Sequence, residues 1–232
     1  MLFLLQTQPV VTEVIDATAP LEQAAPKSVF DMLLTGGWTM IPLIALLAIA
    51  IFIYIERYLT IRKSDTDSED FMEKVRAHVL AGNIQAAKGL CDSKNDPFAR
   101  MIRKGIERLG SSSLKDIEAS IENVGKLEIY RMERRLSILA TIAGAGPMLG
   151  FFGTVLGMIK AFLTIEEKGG VVNASELAGG ISEAMVTTAS GLVVGIIAYL
   201  AYNTLVAMVN KVMYKLELTS TSFIDILQEP AG

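Results

Sequence analysis

The chain has 232 residues, 51% of them hydrophobic, and a mean hydropathy of +0.44, which is too apolar for an ordinary water-soluble domain. A net charge of −4 gives no sign of a nucleic-acid partner. The single cysteine, Cys91, excludes an intrachain disulfide, and no spacing of ligand residues or nucleophile–base pairing suggests a metal, a cofactor or an enzyme.

Residues 1–27 are rich in Ala, Thr, Pro and Gln and read as a loose external tail; the apolar start "MLFLLQTQ" lacks the basic residues of a signal peptide. In 28–37, Ser28 and Asp31 start a short amphipathic helix with Phe30, Leu33 and Leu34, set on the outer membrane face and ended by Gly36–Gly37. Trp38–Ile55 is 18 residues without a charge, so 38–57 is the first transmembrane span, with Trp38 at the lipid–water boundary. Residues 58–135 are polar and helical in period, a helical domain with a break near Gly82–Asn83 and new helix starts at Asp96–Pro97 and Ser113. From Leu114 the pattern Ile117, Ile121, Val124, Leu127, Glu128, Met132, Leu136 predicts one helix running into the second span and reaching Ile165, roughly 78 Å, with separate helices broken at the membrane surface as the alternative. The second span is 136–165, an external loop follows at 166–177, the third span is 178–209, and its helix continues through 210–232. The expected fold is therefore an all-α membrane protein with three transmembrane helices, spans two and three extending into a cytoplasmic helical bundle. Sixteen of the 21 Lys and Arg lie between Arg57 and Arg135, many next to the spans, which places that segment and the C-terminus in the cytoplasm and the N-terminus outside.

The spans carry an unusual set of small and polar residues. Gly146, Gly150, Gly153 and Gly157 recur every three or four residues in span two, and Gly191 and Gly195 repeat the spacing in span three, as close helix packing in lipid requires. Glu183 and Lys160 are costly in hydrocarbon and need partners. If the loop turns near Val171, Thr154 lies 17 residues before it and Thr188 lies 17 after, while Lys160 and Glu183 lie 11 before and 12 after. The two threonines then share one depth, suiting a hydrated lining, and the lysine and glutamate share another, suiting an ion pair. Thr154, Thr187, Thr188 and Ser190 could equally back-bond to their own helix.

The segments "GPMLGFFGTVLGM" (146–158) and "SEAMVTTASGLVVGI" (182–196), with three spans and a large insertion after "ERYLTIRK", resemble the two membrane motifs of the MotA/TolQ/ExbB family, closest to its ExbB branch. The resemblance implies a homo-pentamer in the inner membrane of a Gram-negative cell, with spans two and three around a central pore. Two ExbD-like single-span partner helices occupy that pore and carry the proton, and a TonB-like transducer energises outer-membrane import. It puts the ion-path threonines on Thr154 and Thr188, the membrane glutamate on Glu183 and a helix-kinking proline on Pro147. Ile197 stands where relatives often have a second proline, and Lys160 where they are often neutral. A TolQ-type subunit serving envelope constriction, and a helical scaffold without ion flow, are the alternative readings.

Overall fold

The computed structural model describes residues 36–64, 68–94 and 96–228, and all regular structure among them is helical. The expected tail at 1–27 and nearly all of the interfacial helix at 28–37 lie outside the described residues. Three helices contain stretches long and apolar enough to cross a membrane: α1 (Met40–Ser64), α6 (Leu136–Glu167) and α7 (Ala174–Gln228). Between α1 and α6 lie four shorter helices, α2 (Ser68–Leu80), α3 (Ile84–Ser93), α4 (Pro97–Ile106) and α5 (Leu114–Glu133). The local start signals act as their chemistry predicts. Side chains of Asn83, Asp96 and Ser113 accept hydrogen bonds from the amides of Ala86, Ala99 and Asp116, supplying partners to helix N-termini that otherwise lack them.

The third apolar helix does not stop at the end of its span. α7 has 55 residues, about 82 Å long, and runs unbroken through Gly191, Gly195 and Ile197. Its far end enters the part of the core built by the shorter helices. Phe223 is fully buried against α4 and α5, where a methyl on Gly105 would stand 2.7 Å from both the Phe223 ring and Ile121. Phe71, Phe98, Met101, Ile102, Ile106 and Ile121 complete that core. α4 contributes most strongly because Phe98, Met101, Ile102 and Ile106 fall on one face at helical spacing. Cys91 is buried here, its thiol pushed up to about 11 first by burial and then by the charges of Asp92 and Asp96, which leaves it a packing residue.

The expected single helix from Leu114 to Ile165 is corrected: it is interrupted at Arg134–Arg135. Arg135 has φ 75°, the one positive φ outside glycine among the described residues, a conformation that costs an L-residue roughly 1–2 kcal/mol. Neighbouring side chains compensate. In an unbroken helix the Arg131 carbonyl would accept the Arg135 amide; here Nη1 of Arg57, from α1, donates to it at 3.1 Å. The Arg135 guanidinium in turn donates to Glu56 Oε2 at 2.5 Å, also on α1. Of the expected stripe, Leu127 is corrected, being exposed, whereas Glu128 is buried and clamped by Arg100 (3.0 and 2.6 Å) and Arg131 (2.6 Å).

Candidate functional site

From Gly146 to Ala161, α6 packs on α7 through residues with almost no side chain. Gly146, Gly150, Gly153, Gly157 and Ala161 form the buried stripe of α6. Across the seam, a Cβ on Gly191 would stand 2.6 Å from the Gly146 carbonyl oxygen and 2.7 Å from the Gly150 Cα, so backbone lies directly on backbone. Glycine at these positions is a requirement of approach distance, the means by which helices associate where no hydrophobic force separates protein from solvent. Pro147 lies inside α6 without ending it. Its ring packs on Gly195, whose would-be Cβ also lies 3.1 Å from the Ala143 carbonyl, the acceptor that Pro147 deprives of its helical donor.

Two polar pairs lie on this seam. The hydroxyls of Thr154 and Thr188 hydrogen-bond to each other across it. Thr188 also donates to the Gly150 carbonyl at 3.1 Å, and Thr154 lies 3.4 Å from the carbonyls of Gly150 and Ala184. Both side chains are half-buried. Nearer the α6–α7 turn, Lys160 Nζ donates to Glu183 Oε2 at 2.8 Å. Thr187 is different: fully buried in the centre of the seam, it back-bonds to Glu183 and Ala184 carbonyls of its own helix.

The two pairs lie on opposite flanks. Glu183 and Thr188 are five residues apart, about 140° around the helix, with Ala184 and Thr187 between them in the seam. On the Glu183 flank lies the start of α1: Gly37, with φ 65°, has Glu183 Oε1 in the space a side chain would need, and a Cβ on Gly36 would stand 3.4 Å from Val186 Cγ1. Farther along that flank Ala50, Ile51 and Tyr54 of α1 face Ile197, Ala201 and Thr204 across a groove of about 270 Å³. Among the described residues, the hydrogen bonds of Thr154 and Thr188 go to α6 and α7 and not to α1. Both pairs join the residues that the spacing placed at equal depth, Thr154 with Thr188 and Lys160 with Glu183; that the pairs lie on opposite flanks had no signal in that spacing, because depth is a one-dimensional measure and says nothing about azimuth.

The sequence profile of the MotA/TolQ/ExbB proton channel family matches residues 93–218, more than half of the chain. The chain belongs to that family. It is a membrane protein of the proton-channel class, a transport subunit of energy-transducing systems, and it lies close to ExbB. An ExbB-like biopolymer transport protein of Synechocystis sp. is 28% identical over 199 residues, covering 85% of this chain and 78% of that protein. The biopolymer transport protein ExbB of Aquifex aeolicus is 39% identical over 107 residues, 46% of this chain and 70% of that one. TolQ of the Tol-Pal system in Haemophilus influenzae is 41% identical over 87 residues, 37% of each chain.

Proposed function

We propose that this chain is the ring-forming subunit of a proton-driven motor of the ExbB type, embedded in the inner membrane and coupling the proton gradient to a TonB-like transducer for energised outer-membrane import. The observation that carries the reading is the Thr154–Thr188 hydroxyl pair on the flank of the α6–α7 seam opposite α1. In a ring of five copies with α1 outermost, that flank turns inward. Each copy then presents hydroxyls, and no charge, to a pair of ExbD-like single-span partner helices whose carboxyls carry the proton. A proton crossing 100 mV supplies about 2.3 kcal/mol, enough to bias a step between such positions but not to break the packed seam. The N-terminus is periplasmic and α2–α5 with the end of α7 are cytoplasmic in this reading, following the basic residues between Arg57 and Arg135.

Reconstitution of the chain with its co-purifying single-span partner in proteoliposomes tests the proposal. Thr154→Val and Thr188→Val keep the shape of each side chain and remove the hydroxyl. The pair together lowers proton flux by about tenfold or more, as loss of hydrogen-bonding groups worth 1–3 kcal/mol requires, while the complex still assembles. Flux equal to the parent protein would take the hydroxyl pair out of the ion path, and absence of flux from the parent complex itself would favour the non-conducting scaffold. The identity of the partner decides the branch: a TolR-like protein would assign the chain to envelope constriction.

A further inference from the structure

The Lys160–Glu183 pair lies away from the hydroxyl flank and against the turn through which the chain joins α1. Four observations converge there. Lys160 Nζ is 2.8 Å from Glu183 Oε2. The other carboxylate oxygen fills the space beside Gly37, whose left-handed φ of 65° already disfavours any other residue. Gly36 closes on Met40 and on Val186, one helical turn along α7 from Glu183. Thr39 is buried and donates to the Gly36 carbonyl at 3.0 Å, tightening the turn, and Met40 and Leu43 behind it are buried.

We propose that Glu183 is a positioning residue and not a proton carrier: with Lys160 and Gly36–Gly37 it forms a latch that ties the start of α1 to the outer third of α7. The Glu183 side chain is only 17% exposed, covered on one side by the lysine amine and on the other by the Gly37 backbone, whereas Lys160 at 69% exposed holds the pair from outside. A group that hands on protons must lie on the proton path, and this carboxylate is turned toward Lys160 and Gly37, off the flank where Thr154 and Thr188 lie. The ion pair instead offsets the cost of holding a carboxylate at membrane depth, and the two glycines allow the approach that brings the turn to it. The latch fixes the azimuth of α7, and with it the direction in which Thr188 points. In this respect the inference rests on the proposed function, because flux is one of its readouts.

The deciding comparison is Glu183→Gln against Gly37→Ala in the full chain with its partner. Glutamine keeps the shape and an acceptor for Lys160 but no titratable proton; alanine at Gly37 carries no ionisable group and evicts the carboxylate. Glu183→Gln is expected to keep proton flux within about twofold, while Gly37→Ala and Glu183→Ala each lower it about tenfold. Loss of flux in Glu183→Gln as complete as in Glu183→Ala, with Gly37→Ala unimpaired, would overturn the proposal and return Glu183 to the proton path. A readout independent of conduction uses Gly36→Cys with Val186→Cys, in a Cys91→Ala background, oxidised in membranes. The disulfide forms efficiently in this protein and with Glu183→Gln, and its yield drops with Glu183→Ala or Lys160→Met. Failure to form it, or undiminished yield in the last two variants, would remove the latch even if the protein conducted no protons.

Discussion

Gly191 and Gly144 belong to the same apolar stretches and have opposite roles. A Cβ on Gly191 would collide with backbone of α6 at 2.6–2.7 Å, and backbone cannot rotate away as a side chain can. Gly144, on the exposed side of α6, has nothing within 4 Å of the same added atom. Gly191→Ala is therefore expected to cost about 1–3 kcal/mol through overpacking. Gly144→Ala is expected to be neutral or to stabilise by up to about 1 kcal/mol, because alanine is the better helix former. Thermal unfolding of the detergent-solubilised protein, followed by the fraction remaining monodisperse after heating, distinguishes the two. A fall of equal size for both variants would mean that helix propensity and not seam distance governs the glycine stripe.

At the scale of the element, the break between α5 and α6 is the informative case. No glycine or proline stands at 134–135, and the apolar period continues through Met132 and Leu136, so local chemistry reads as one helix. What divides it is α1, which brings Arg57 to the freed Arg131 carbonyl and Glu56 to the Arg135 guanidinium. Arg57→Met leaves that carbonyl without its donor in a half-buried place and should lower stability by about 1–3 kcal/mol. Arg135→Gly should have a much smaller effect. It relieves the roughly 1–2 kcal/mol of left-handed strain, and it gives up a part-exposed ion pair worth about 0–1 kcal/mol. Melting temperatures of the two variants in the same detergent check the order; destabilisation by Arg135→Gly larger than by Arg57→Met would show that the ion pair, and not the capped carbonyl, holds the break.

Across the whole molecule, α7 is the continuous member. One end carries Thr188 and Glu183 in the seam with α6, and the other inserts Phe223 between α4 and α5, with Leu205, Val209, Val212 and Leu216 buried on the way. In the proposed motor, a movement of the seam would reach the polar helices through a rod without an internal hinge, provided the far end stays anchored. Phe223→Ala should cost about 3–5 kcal/mol, the range for a fully buried phenylalanine. The cost falls on the polar unit: limited proteolysis within 68–110 should accelerate, while the Gly36–Val186 cysteine pair at the other end of the helix still oxidises. Unchanged proteolysis would mean that α2–α5 fold without the end of α7.

The sequence by itself determined the helical class, the three apolar stretches, the break near Gly82–Asn83, the helix starts at Asp96 and Ser113, and the family, through the glycine and hydroxyl motifs of 146–158 and 182–196. Each of these depends on interactions within a few residues along the chain: hydrophobic length, side-chain caps, and spacing on one helix face. Only the tertiary structure decided that Glu128 and not Leu127 points inward, that α5 and α6 are separate, and that Glu183 lies on the α1 flank, away from Thr188. Those outcomes are set by partners 28 to roughly 150 residues distant, Arg100 for Glu128, Arg57 for Arg131 and Gly37 for Glu183. Periodicity reports that a helix has two sides; which neighbour covers each side is settled by contacts that a linear spacing does not encode.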